Sequence, residues 1–304
     1  MTDTRLQILG SGSAMPTKTR NQVSQVLSLH NKSFMIDCGE ATQVQMVRCS
    51  VSVSRLNHIF ISHLHGDHCF GLVGLISTLG MKSRTADLYI HSHPALEPLL
   101  RPLLNFFCRD LSFRVLFEPY SQSSSEILYE DRSLIVSSFP LKHSLPSSGF
   151  LFKEKEKERH VLPEKLKFYR VPVKEIAAIK NGADFTTEEG VVVPNAHLTT
   201  APSPSISYAY CSDTVYDEKI IPYIEGVSLL YHEATFLHEH LSKAKATMHT
   251  TALQAATIAA KANVNRLLIG HFSARYIDTS PLLKEAQSVF PNTSLVEDGA
   301  IFDL

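Results

Sequence analysis

Short apolar or alternating runs recur along the chain with turn residues between them: LQILG (6–10), SQVLSLH (24–30), SFMID (33–37), NHIFIS (57–62), SLIVSSF (133–139), ISYAYCS (206–212), SLLYHEA (228–234) and RLLIGH (266–271). Runs this short, with apolar residues at alternate or successive positions, predict strands. Helix-period segments lie between and after them: FGLVGLISTLGM (70–81), PALEPLLRPLLNFF (94–107), TALQAATIAAKAN (251–263) and SPLLKEAQSVF (280–290). Several of these open with Ser, Thr or Pro, the residues that start helices. Both halves of the chain carry strands and helices. That distribution predicts an α/β fold of two mixed sheets packed face to face with helices outside, a four-layer αββα sandwich, rather than a doubly wound parallel sheet.

One segment departs from this rhythm. Between Lys153 and Lys180 there are nine Lys/Arg and five Glu, a local net of +4. The formal charge of the whole chain is -1, so the remaining residues sum to about -5. The segment reads as a basic insertion on a slightly acidic body, or as a solvated face of alternating sign. We place the insertion at residues 150–197 of a single domain spanning 1–304. With 304 residues and 44% hydrophobic content, the chain buries a large core and is not a disordered polymer. The near-neutral charge excludes a uniformly basic surface, so a polyanion would have to be held by a local patch or by cations.

The five cysteines, Cys38, Cys49, Cys69, Cys108 and Cys211, are odd in number and form no C-x-x-C. This argues against a disulfide framework and a thiolate zinc site, and points to the reducing cytoplasm. The start, MTDTRLQILGSGSAMP, reads as a strand entering a Gly/Ser turn, and no run approaches eighteen apolar residues. Neither secretion nor a membrane span is expected.

The densest chemistry lies in NHIFISHLHGDH, residues 57–68. In an extended register, His63, His65 and Asp67 at i, i+2 and i+4 share one side of the chain. Gly66 then lets the backbone turn so that His68 serves a second, nearby point. Imidazole and carboxylate without thiolate suit Zn²⁺, and also Mn²⁺ or Fe²⁺. Four residues cannot complete two metal sites. His143, Asp213 and His271, each following a strand-like run, are the candidates to supply the rest.

The pattern H-x-H-x-D-H followed by a distant His, Asp and His resembles the metallo-β-lactamase superfamily. That resemblance implies two Zn²⁺ per subunit, with His63, His65 and His143 on one, Asp67, His68 and His271 on the other, and Asp213 bridging. Further stretches resemble the ribonuclease Z family, the tRNA 3′-processing endonucleases: LGSGSAMPTKTRN, IDCGEATQVQM, YHEATF, HTTALQAA and HFSARY, in family order from residue 8 to 276. The implied activity is removal of 3′ trailers from precursor tRNA, leaving a tRNA 3′-OH and a trailer 5′-phosphate. Asp67 is then the expected proton acceptor for the attacking water, His249 the proton donor or phosphate clamp, and Glu233 the residue that orients and charges His249. The insertion, with Lys165, Lys167 and Arg170, becomes a flexible arm that grips tRNA, although the Gly/Pro tip common in the family is missing. A homodimer in which one subunit's arm holds the other's substrate is also implied.

Lys18, Arg20, Asn21 and Thr42 offer RNA phosphate contacts, or equally turn stabilisation and surface charge. Phe272, Arg275 and Tyr276 offer a stacking face and a cation beside His271, with core packing an equal account of Phe272. The competing functional reading is a hydrolase of the same fold acting on small phosphodiesters or thioesters. A non-catalytic RNA-binding relative is a third class, disfavoured because every expected ligand is present.

Overall fold

The computed structural model describes residues 4–304. Two seven-stranded sheets face each other. The first runs in the order Ile301–Asp303, Arg5–Gly10, Ser24–Leu29, Lys32–Cys38, Leu56–Phe60, Leu88–Ser92, Val115–Pro119. The second runs Thr293–Leu295, Leu267–Gly270, Leu229–Glu233, Ser207–Cys211, Ser147–Glu154, Leu134–Leu141, Glu126–Glu130. Every strand and helix read from the hydrophobic pattern is present. The pattern missed short or weakly alternating strands such as Leu88–Ser92, Val115–Pro119 and Ser147–Glu154, and the helix Thr42–Arg48.

The alternation of side chains along each strand builds the layers. Leu6, Ile8, Phe34, Ile36 and Phe60 point between the sheets, where they meet Phe150, Phe152, Tyr208 and Tyr210. Their neighbours Leu9, Met35, Ile59 and Ile61 point outward onto the helices Leu72–Met81 and Leu96–Phe107. The second sheet is covered by Ala252–Lys261 and Ser280–Gln287. The first of these presents Ala252, Ala255, Ala256 and Ala259 to the core, short side chains that allow a close approach. It opens with a capping box, Thr251 and Gln254 each bonding the other's backbone N–H.

Topology collects the chemistry at one edge. In the first sheet, Lys32–Cys38, Leu56–Phe60, Leu88–Ser92 and Val115–Pro119 are mutually parallel. In the second, Ser207–Cys211, Leu229–Glu233 and Leu267–Gly270 are parallel. The carboxyl ends of parallel strands therefore deliver Asp37, His63, Asp213, Glu233 and His271 to the same rim, the usual ligand-binding edge of such sheets.

The insertion leaves the second sheet after Glu154 and returns at Ser207, because Lys153 pairs with Ser207. Its bounds are thus 155–206 and not 150–197; Phe150 to Glu154 are strand residues, whose run SSGFLFKE merges into the charged segment. The insertion has its own small core, in which Ile179, Phe185, Val193 and Leu198 are buried. Its charge also differs from the reading above. Over 155–206 there are eight Lys/Arg and seven Asp/Glu, a net of +1, since Asp184, Glu188 and Glu189 lie beyond the basic window. Lys155, Lys157 and Lys180 are further engaged with Glu130, Glu154 and Glu158. Lys165, Lys167 and Arg170 remain exposed on and just after the short helix Pro163–Phe168, beside an exposed Phe168.

Candidate metal centre and catalytic cleft

All seven proposed ligands converge. Ligand atoms of His63, His65 and His143 lie within 4.8 Å of one another, as do those of His63, His68 and Asp213 and those of Asp67, His68 and His271. Asp213 stands between the groups: its Oδ2 is 2.6 Å from His68 Nε2, 3.4 Å from His271 Nε2 and 3.7 Å from His63 Nε2. Its Oδ1 is 4.0 Å from His143 Nε2. Asp213 and His271 both adopt left-handed backbone, with φ of 55° and 59°. Such conformations in non-glycine residues cost energy and persist where surrounding structure enforces them, as at functional sites.

The extended register holds only as far as His65. His65 is extended, but Gly66–Cys69 is a helical turn, so Asp67 does not line up with His63 and His65. The turn sends Asp67 to the second group, with His68 and His271. Gly66 has no unusual φ, and the exposed Phe70 ring lies against the place where a Cβ would stand.

The ligand rings are oriented from behind. His68 Nδ1 donates to Asp37 Oδ2 at 2.8 Å, and His143 Nδ1 donates to the Met248 carbonyl at 2.9 Å. His271 Nδ1 lies 2.9 Å from the Thr235 hydroxyl, and His63 Nδ1 lies 3.0 Å from that of Ser62. Asp37 also accepts from Ser62 N, Ser62 Oγ and the Tyr210 hydroxyl. Asp37 lies inside IDCGEATQVQM, where the sequence alone assigned it no role; a carboxylate closing an otherwise apolar buried strand was the available signal.

Electrostatics and orphaned atoms test whether divalent cations fit here. Burial holds the imidazoles of His63 and His65 below their ordinary pKa, which keeps them neutral as metal donors must be. Burial opposes the charge on Asp213 too, yet His271, His68 and His63 hold its carboxyl well below the usual range. His68 is driven the other way: burial disfavours its charge, but Asp37, Asp213 and Asp67 overcome it. His68 Nε2, His271 Nε2 and Asp213 Oδ2 are buried without a well-formed hydrogen bond. Convergent donors with unanswered lone pairs, backed by fixed outer partners, are what a divalent cation requires. The residues fit divalent cations.

His249 stands beside this group, 16% exposed at its side chain. Its Nδ1 is 3.0 Å from Glu233 Oε1 and 3.3 Å from Asp213 Oδ1. Burial lowers its affinity for a proton, but the Glu233 carboxylate outweighs burial and the pKa is pushed up to about 9. Glu233 is itself fully buried and held by Thr214 N, Thr250 N and the Thr235 hydroxyl. The cleft over the centre, about 340 Å³, is walled by Ser13, Ala14, Ser144, Phe236, Thr247 and Ser273, none of them singled out from the sequence.

Most expected RNA contacts near the cut are internal. The Arg20 guanidinium donates to the carbonyls of Tyr276 and Ser273, and Asn21 donates through N and Nδ2 to Asp298. Thr42 is buried and bonds the Gly39 carbonyl. Phe272 is a core side chain, and the Tyr276 hydroxyl accepts from Leu237 N and meets His240. For these five the contacts are those of the structural reading, turn stabilisation and packing, which the sequence offered equally. Lys18 and Arg275 stay exposed, Arg275 with its guanidinium over the Phe236 ring at 5.3 Å. His232 is likewise structural, buried with Nδ1 on the Glu233 carbonyl.

Comparison with known proteins adds the relatives. The profile of the family described as Anti-Pycsar protein Apyc1 matches residues 4–157, which ends before Asp213, Glu233, His249 and His271. Ribonuclease Z of Bacteroides fragilis is 53% identical over 299 residues, covering 98% of this chain and 98% of the relative. Ribonuclease Z of Bacteroides thetaiotaomicron is 54% identical, covering 96% and 93%. Among solved structures, the short form of human tRNase Z matches with a TM-score of 0.72 at 24% identity, covering 98% of each chain. The metallo-β-lactamase fold protein YhfI from Bacillus subtilis matches with a TM-score of 0.70 at 16% identity, covering 99% of this chain. The fold is therefore the metallo-β-lactamase fold, and with half its residues shared over nearly its whole length the chain belongs to the ribonuclease Z family.

Proposed function

We propose that this chain is a metal-dependent endoribonuclease that removes 3′ trailers from tRNA precursors in the cytoplasm, with two Zn²⁺ per subunit as its native ions. The observation that carries the proposal is the pairing, in one cleft, of a seven-residue His/Asp centre with the His249 imidazole set against the buried Glu233 carboxylate. His63, His65 and His143 would hold one cation, Asp67, His68 and His271 the other, with Asp213 between them. When bound, such ions neutralise the scissile phosphate and lower the pKa of water. Asp67, which lines the cleft, accepts the proton of the attacking water. His249 donates a proton to the departing 3′ oxygen of the tRNA, and Glu233 keeps that imidazole charged and aimed. The products are a tRNA with a free 3′-OH and a trailer with a 5′-phosphate.

Residues 155–206 act as the tRNA arm, with Lys165, Lys167, Arg170 and the exposed Phe168 as its binding group. The strand that leads into the arm begins beside the centre and runs away from it for eight residues, roughly 26 Å. An arm rooted on that far edge suits a substrate held for another subunit. The outer helical layer supports a homodimer: Leu99, Leu103, Phe106 and Phe107 are exposed along one side of the helix, flanking the buried Leu96, Leu100 and Leu104. Contiguous exposed apolar surface of this kind marks protein contacts.

Metal analysis of the purified protein, together with cleavage of a trailer-bearing tRNA precursor, tests the central reading. Stoichiometric zinc and a single cut at the trailer junction are expected; a zinc-replete protein that leaves the precursor intact would sink it. Leu103→Glu with Phe106→Glu should shift the protein from dimer to monomer in light scattering. An unchanged mass would remove this face from the dimer.

A further inference from the structure

Residues 155–206 stand on the body through a narrow polar root. Their own core, Ile179, Phe185, Val193 and Leu198, is separate: among the described residues, none of 155–206 belongs to the apolar clusters between or outside the two sheets. A space of about 960 Å³ opens beside the root, with His30, Arg132 and Ser133 of the body on one side and Arg159, His160 and Lys180 of the arm on the other. Without a shared apolar interface, relative motion of two such units is the default, so the polar contacts at the root decide the angle between arm and body.

One carboxylate joins the pieces there. Glu154 ends the outgoing strand and is 3% exposed, and its Oε2 accepts from Ile206 N, on the returning chain, at 2.7 Å. Glu154 N donates to the Ile206 carbonyl at 2.9 Å, so backbone and side chain pair the two chains together. Lys157 Nζ lies 2.7 Å from the same Oε2 and donates to the Pro204 carbonyl at 3.3 Å, a second tie across the root. The other oxygen, Oε1, lies 2.6 Å from His30 Nε2. His30 belongs to the opposite sheet: with Asn31 it forms the two-residue turn, at φ of 50° and 62°, between Ser24–Leu29 and Lys32–Cys38. Two consecutive left-handed residues make a tight hairpin, which gives the carboxylate a fixed anchor. Burial opposes the charge on Glu154, yet Lys157, the Ile206 amide and His30 hold its carboxyl below the usual range. A buried carboxylate is costly to leave unpaired, so outgoing chain, returning chain and opposite sheet are held in one arrangement.

We propose that Glu154 is a positioning residue for the RNA substrate: through His30, Lys157 and Ile206 its carboxylate sets the angle at which the arm stands on the body, and so where Lys165, Lys167 and Arg170 meet the substrate. The inference rests on the arm reading above and adds the residue that aims the arm. A small rotation at the root becomes a larger displacement at the binding group, which makes this contact decisive.

The chain contains no tryptophan, so Val192→Trp places a single emitter on the arm, at an exposed position outside the binding group. In that background, time-resolved fluorescence anisotropy of the free protein and cleavage of a trailer-bearing tRNA precursor are compared with and without Glu154→Gln, Glu154→Ala and Lys157→Ala. Glu154→Ala should add a fast component to the anisotropy decay. It should raise KM for the precursor by about tenfold, the factor expected when the competent posture is populated a tenth of the time, with kcat and hydrolysis of bis(p-nitrophenyl) phosphate unchanged. Glu154→Gln, which still accepts from Ile206 N but offers Lys157 no charge, should fall between. Lys157→Ala changes a side chain that is 28% exposed, so it loosens the root without disturbing the core. It should reproduce the faster decay in the free protein, where no RNA is present to miss the lost cation. A decay indifferent to both Glu154→Ala and Lys157→Ala, a faster decay with unchanged KM, or a parallel loss on the small ester would each overturn the proposal. A protein that cuts the precursor equally well without residues 155–206 has failed at the arm reading instead, whatever the anisotropy shows, and the aiming role falls with it.

Discussion

At the scale of single residues, the centre depends on partners that never face substrate. Asp37 is fully buried and answers four donors, among them the Nδ1 of His68. Outer partners of this kind fix the tautomer and direction of a ligating imidazole. Asp37→Asn should therefore weaken metal binding by roughly 10- to 100-fold with little change in secondary structure, read by zinc content across a chelator series. Wild-type affinity in that variant would show that His68 needs no such support. His249 makes the opposite case. His249→Ala should slow cleavage severely while metal content holds, because its Nδ1 is committed to the carboxylates of Glu233 and Asp213. If Glu233 works through His249, the double variant should be scarcely slower than the worse single one; additive losses would separate the two residues.

Among the elements, the insertion is the most separable. Lys153 pairs with Ser207, so a few Gly/Ser residues can join the two strands as a hairpin after residues 155–206 are removed. The deletion should raise KM for precursor tRNA strongly and leave hydrolysis of bis(p-nitrophenyl) phosphate intact. Its salt dependence should also flatten, by roughly one log-log unit for each phosphate that the arm no longer grips. Mixing this variant with His65→Ala subunits should restore precursor cleavage if arm and centre act across a dimer. No recovery on mixing would confine each arm to its own active site. The near-neutral total of +1 in the insertion places any grip on tRNA in the local group Lys165, Lys167 and Arg170, not in a uniformly basic surface.

For the whole molecule, acid stability should be set in part by a pair of histidines away from the cleft. His58 Nδ1 lies 3.0 Å from His91 Nε2 between aromatic rings, with His91 stacked on Phe60. Burial lowers His58 to about 4, with Lys32 and Arg84 adding repulsion, and lowers His91 to about 3. The unfolded chain therefore binds protons that the folded state refuses. This stabilisation is complete above the ordinary histidine pKa of 6.5 and is lost as pH falls toward 4 and then 3. The slope is about 1.4 kcal/mol per pH unit for each proton. His91→Phe should flatten the loss of urea resistance between pH 7 and 5 relative to the wild-type protein. Parallel curves would assign acid sensitivity to the metal centre alone.

Local and periodic features were legible from the chain alone. Alternation specified eight strands and helical spacing four helices, because those periods follow from backbone geometry. The cluster from His63 to His68 and the strand-end positions of His143, Asp213 and His271 were legible for the same reason. Which side chains are free to act was settled by packing. Arg20, Asn21 and Thr42 look like a phosphate-binding turn in the sequence, but their polar groups are answered by carbonyls and by Asp298, a residue far along the chain. Asp67 changes partner because a helical turn, not an extended register, follows His65. The charge of the insertion changes with its ends, which only the pairing of Lys153 with Ser207 reveals. Asp37 and Thr235 acquire their roles from neighbours distant in sequence. Hydrogen-bond demand at a buried atom is a property of the packed neighbourhood, and no window along the chain contains it.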